Sequence, residues 1–162
     1  MESKIKLAGI FTVECFDKDG KIKWEENFHN TVVNVGLQHV LDTVFSDGAS
    51  VATWYLGLTD GAPTVNAADT LASHTGWAEV TDYTGDRQAW VEVRSSQSMT
   101  NSASVAEFPV TGTITAGGAF LASVATTTTG TLMSAGAFTG GDRSAVNGDT
   151  IKVTYVLAAS DV

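Results

Sequence analysis

Cysteine is almost missing from this chain. Cys15 is the only one in 162 residues, so no disulfide can form within the chain and the fold cannot depend on oxidation. Basic residues are scarce too: nine Lys and Arg stand against eighteen Asp and Glu, a formal net charge of −9. Not one Lys or Arg occurs between Glu25 and Asp86. A nucleic-acid surface needs clustered cations to displace counterions from phosphates, so no nucleic-acid partner is expected. No apolar run approaches the roughly 20 residues needed to cross a bilayer, so no membrane partner is expected either. Residues 1–6 are charged, unlike a signal peptide, which points to synthesis in the cytoplasm. The length suits a single domain over residues 1–162 with a core of its own.

What the chain has in quantity is alternation. Ile5, Leu7, Phe11, Val13 and Cys15 alternate with Lys6, Thr12 and Glu14, the pattern of a half-buried strand over residues 4–15. Cys15 is in phase with Phe11 and Val13 and reads as a small buried hydrophobe. Gly9 holds an in-phase slot where a bulge can form. Asp17-Lys18-Asp19-Gly20 supplies turn chemistry, and Ile22, Trp24 and Phe28 carry a return strand, giving an N-terminal hairpin. Five of the nine basic residues (Lys4, Lys6, Lys18, Lys21 and Lys23) fall here, interleaved with apolar residues as on the wet faces of two strands.

One helix is expected over about 34–46. Leu37, Val40, Leu41, Val44 and Phe45 form a single apolar stripe, with Asn34 as N-cap and Ser46-Asp47-Gly48 as stop. About three turns of helix are too short to stand alone in water, so the stripe is expected to lie on a sheet, with Leu37, Leu41, Val44 and Phe45 as its contacts. Beyond it, strands are expected at 54–58, 77–83, 88–94, 105–110, 113–125, 131–138 and 150–157. A long loop covers 62–76, a polar bend 95–102, and the Thr-rich 126–129 is a strand end or a loop. The fold class is mostly β: a two-sheet sandwich of jelly-roll type with one amphipathic helix.

Candidate chemistry is thin. Asp17-Lys18-Asp19-Gly20 starts like a calcium loop, but the fifth and twelfth ligand positions hold Lys21 and Phe28. Asp69, His74, Glu79 and Asp82 include metal-ligand types, yet His29, His39 and His74 lie far apart, with no paired-histidine spacing. Asp69-Thr70 reads instead as a turn cap, with His74 hydrogen-bonded beside Trp77. There is no Gly-x-Ser-x-Gly elbow, and Gly117-Gly118 and Gly140-Gly141 lack the Lys and helix of a phosphate cradle. No catalytic residue, metal ligand or cofactor is assigned. Trp54, Tyr55, Trp77, Tyr83 and Trp90 would stack on a sugar if exposed and fill the core if not.

In order along the chain come Asn30-Thr31-Val32-Val33-Asn34-Val35-Gly36-Leu37, Trp54-Tyr55-Leu56-Gly57-Leu58-Thr59 and Ala68-Asp69-Thr70-Leu71-Ala72-Ser73-His74-Thr75-Gly76-Trp77. Tyr83, Arg87 and Trp90 follow, then Gly118-Ala119-Phe120-Leu121 and Gly148-Asp149-Thr150-Ile151-Lys152-Val153-Thr154-Tyr155. This series resembles a family of small virion structural proteins encoded by tailed bacteriophages. The resemblance covers nearly the whole chain, and the block from Asp69 to Trp77 is its most specific element. It implies a capsid decoration (cement) protein: a jelly-roll homotrimer, free of cofactors, that binds the major capsid protein on the outer surface of the virion. Tail- or fibre-associated modules that bind carbohydrate or a receptor use similar sandwiches and form the alternative. Loops and termini are the expected contacts with the shell. The candidates are Lys18, Lys21 and Lys23 on the hairpin, and Asp69 and His74 on the 62–76 loop. The lysines suit an acidic capsid surface, and a solvated strand face accounts for them equally well.

Overall fold

A computed structural model describes residues 4–162, so the first three residues of the charged start lie outside it. Two antiparallel sheets pack face to face. The first is built on the hairpin of β1 (Ile5–Phe16) and β2 (Ile22–His29). β1 pairs along its full length with β13 (Thr150–Asp161), from Ile5 opposite Asp161 to Phe16 opposite Thr150. The far edge of β13 is shared. β9 (Ala106–Pro109) takes its first residues, and β8 (Ser98–Thr100), carrying β7 (Val93–Ser95), takes Val156 to Ala158. The second sheet runs β3 (Thr31–Val32), β11 (Leu132–Ala137), β10 (Ile114–Ala122) and β4 (Trp54–Asp60). β5 (Ala78–Glu79) and β6 (Gln88–Trp90) share the edge of β4, and β12 (Arg143–Ala145) joins the start of β10.

The alternation read from the sequence explains the core. Phe11, Val13, Cys15, Phe28, Ile151, Val153 and Tyr155 point inward from the first sheet, against Leu56, Leu58, Leu121 and Met133 from the second. Phe11 stacks between Tyr155 and Phe28, with centroids 4.2 and 5.4 Å away. Each such side chain, fully buried, contributes about 1.5–3 kcal/mol of transfer free energy. The second sheet is covered on its other face as well: Leu71 and Trp77 close a smaller cluster with Val33, Phe120, Leu132 and Ala135. A sheet buried on both faces cannot alternate with polar residues. Hence β10 and β11 read as runs of Gly, Ala and Leu.

Several expectations need correcting. Gly9 forms no bulge against β13, since the β1–β13 register is continuous; the slot is empty because a Cβ there would overlap the Tyr155 ring. The 88–94 strand is cut in two, β6 going to the second sheet and β7 to the first. Of 77–83 only β5 pairs as a strand, the 95–102 bend contains β8, and β3 and β12 were not expected.

The helix α1 (Asn34–Phe45) forms where expected, but it is rotated. Its N-cap is Val33, not Asn34, and no side chain caps it; the Asn34 N–H donates instead to the Ala67 carbonyl at 2.8 Å. Buried Gly36 sits against the Met133 backbone, where a Cβ would collide with the Met133 carbonyl oxygen at 2.5 Å. Val40 then packs on the main core, one turn along the same face. The expected contact residues lie about 100° further round, the rotation of one residue. Leu37, Leu41, Val44 and Phe45 are accordingly exposed, by 40, 58, 64 and 77 %. The stop is as expected in place, with the Ser46 and Gly48 N–H groups both on the Asp42 carbonyl; Asp47 takes the left-handed conformation, φ 58°.

Candidate partner-binding surfaces

The hairpin tip is fixed by one carboxylate. Asp17 Oδ1 accepts the N–H of Asp19 and of Lys21, both at 2.9 Å. These bonds hold its pKa below the usual range, the Lys21 amide first among them. That carboxylate closes a turn. Lys18 and Lys21 stand exposed beside Asp17 and Asp19, so the tip carries both signs of charge. Lys23 differs from its neighbours: its Nζ donates to Asp149 Oδ2 at 2.5 Å, which raises the Lys23 pKa. Asp149 is buried, also accepts the Val146 N–H, and lies 4.0 Å from Cys15 Sγ. Burial first, and Asp149 second, push the Cys15 thiol up to about 11. Cys15 is the buried hydrophobe expected, and Lys23 is exposed while its ammonium is tied to Asp149.

The 62–76 loop is tied down at every turn. Asp69 Oδ2 accepts the Asn66 N–H and Thr70 Oγ1 accepts the Ser73 N–H. His74 bonds the Trp77 carbonyl through Nδ1 at 3.1 Å and stacks on the Trp77 ring, centroids 3.7 Å apart. This is the turn cap read from the sequence. Asp69 is buried, so it presents little to a partner, whereas His74 is half-buried. Glu79 turns away from both to grip Arg87, Nε to Oε1 at 2.8 Å and Nη2 to Oε2 at 2.7 Å. Among the described residues, no three His, Cys, Asp or Glu converge on a point that would hold a metal.

Arg87 itself went unassigned in the sequence. It is buried, and its Nη1 donates to the carbonyls of Val124 at 3.0 Å and Thr127 at 2.8 Å, pinning the Thr-rich 126–129 stretch as a loop. Its position at the end of a long cation-free stretch is the one hint available. Asn101 has a similar use: buried between β8 and β9, it donates to the Val153 carbonyl and accepts the Tyr155 N–H, filling the break along β13. The Tyr155 hydroxyl, its pKa raised by burial, meets Ser134 Oγ and Asn30 Nδ2.

Trp77 and Trp90 are core residues, and the Trp90 indole donates to the Tyr155 carbonyl. Half-buried Trp54 lines a cleft of about 300 Å³ between α1 and the open end of the sandwich, with His39 edge-on to its ring. Neither Trp77 nor Trp90 is available as a sugar platform. Comparison with protein-family models and with curated proteins gives no match.

Proposed function

We propose that this chain is a structural protein of a tailed-bacteriophage virion: a capsid decoration, or cement, protein that binds the major capsid protein on the outer surface and stabilises the shell. In this reading the sandwich is of jelly-roll type and three copies assemble. The observation that carries it is where the polar side chains are spent. Arg87, Asn101, Asp149, Glu26 and Tyr155 hold strands and loops to one another, and Glu26 does so by accepting from Arg143 Nε at 2.7 Å and the Gly140 N–H at 3.0 Å. A cement protein transmits load between neighbouring capsomers, which calls for a body whose loops do not yield. The resemblance of the chain to small phage virion proteins supplies the class. The negative net charge suits the outside of a shell and opposes contact with packaged DNA.

Docking would use the loops and the hairpin tip, where the exposed Lys18 and Lys21 would meet acidic groups, with the half-buried His74 on the 62–76 loop. The test is deletion of the gene from a phage that encodes it. Particles should assemble but burst at lower temperature or under milder osmotic shock, and added protein should restore them. Particles of unchanged stability that lack a tail part or fail to adsorb would place the chain on the tail and end the cement reading.

A further inference from the structure

The outer face of α1 carries four apolar side chains that none of the described residues buries. Leu37, Leu41 and Val44 follow one another by four residues and then three, with Phe45 beside them. That spacing is the seam by which one helix seats on another. Taken from their exposed fractions, the four present on the order of 400 Å², as much as the largest apolar patch of an ordinary monomer. It is about half of one partner's share of a standard interface. The remainder is adjacent: Val44 also lines the cleft of about 300 Å³ beneath the helix, with Trp54, Met99, Met133 and Leu157.

Charge narrows the choice of occupant. Asp42 is the only Asp, Glu, Lys or Arg in α1; it lies about 100° round from Leu41 and about 60° from Phe45, at the edge of the stripe. A net charge of −9 opposes the approach of two copies through acidic surfaces, and along Leu37, Leu41 and Val44 two copies meet with no charge to oppose. An anionic lipid surface would find no cation on this helix. We infer that a second copy of this chain covers the stripe, making α1 the element through which the protein self-associates. This deepens the assembly part of the proposed function and is independent of whether the partner shell is a capsid.

The experiment is light scattering after size exclusion on the full chain, with Leu41→Glu and Phe45→Glu as variants. The parent should run as one oligomer. Each variant should keep the parent's circular dichroism yet fall to the 16.9 kDa monomer, with association weakened at least 100-fold. A second reading does not rely on disruption. Cys15 is buried, so Leu41→Cys adds the one accessible thiol. Mild oxidation should give a covalent dimer at low micromolar concentration, whereas Asp42→Cys should not. A parent that is monomeric at every concentration, or an oligomer indifferent to both glutamates, overturns the inference. So does a monomer that uses the same residues to bind empty capsids or neutral lipid vesicles. An oligomer held by α1, together with gene-deleted particles of normal stability, would leave this inference standing and remove only the cement reading.

Discussion

Arg87→Met removes a guanidinium whose side chain is only 4 % exposed and which makes four hydrogen bonds, two to Glu79 and two to the carbonyls of Val124 and Thr127. Breaking a buried pair from one side costs about 3–5 kcal/mol. Glu79 is 24 % exposed, so water partly rescues it when Arg87 is gone. The reverse change, Glu79→Met, strands an almost fully buried cation and should cost the larger amount. For a chain of this size the Arg87 loss corresponds to a fall of about 6–20 °C in melting temperature. The double variant should lose less than the sum of the two singles, because no charge is then left without its partner. Urea denaturation of all four proteins measures the cycle, and limited proteolysis reads the loop: cleavage within 126–129 should appear in Arg87→Met and not in the parent. If Arg87→Met stays within about 1 kcal/mol of the parent and its loop remains uncut, the guanidinium is not what fixes that loop.

Three shorter predictions follow from the same geometry. Gly9→Ala places a methyl group in the Tyr155 ring and should cost about 1–3 kcal/mol by overpacking, read from the urea midpoint. Leu41→Asp, at a position 58 % exposed, should change the stability of the separated monomer by no more than about 0.5 kcal/mol, measured below the concentration at which copies associate. Stability should fall as pH rises from about 9 to about 11, because the unfolded Cys15 thiol ionises near its ordinary 9.0 while the folded one stays protonated to about 11. The stabilisation is complete below pH 9, and Cys15→Ala should reduce the fall between about pH 9 and 10 in a urea-midpoint profile, above which the Tyr83 and Tyr155 hydroxyls, also raised by burial, add a fall of the same sign.

Alternation made β1 and β13 legible, since a half-buried strand writes its face into every second residue, whereas β4 and β10, in the sheet covered on both faces, were legible only as apolar runs between turn residues. The helix was legible in extent but not in rotation. Apolar periodicity marks the residues that shun water, and here the contact is set by Gly36, a residue with no side chain to register in such a pattern. The cut after Trp90 was hidden because both halves of 88–94 alternate well, and only the pairing of distant strands decides which sheet each joins. Sites divide the same way. His74 with Trp77 is a contact three residues apart, and the sequence shows it. Lys23 with Asp149 and Arg87 with Thr127 join segments far apart in the chain, so the ion pair of the exposed lysine and the buried place of the arginine could not be read before the sheets closed.

The pairing of β1 with β13 has a consequence for how the protein comes into being. β1 is made well before β13, the strand that fills its second edge. Until then a long apolar edge waits with half its backbone groups unpaired, the condition in which nascent strands stick to one another. Closure at such sequence separation is slow, because the chain entropy is lost before the contacts form. The first sheet is therefore expected to close later than the β10–β11 hairpin of the second sheet, whose strands are neighbours in sequence. A slow refolding phase should report that closure, and high-level expression should meet its aggregation hazard in the window before β13 arrives.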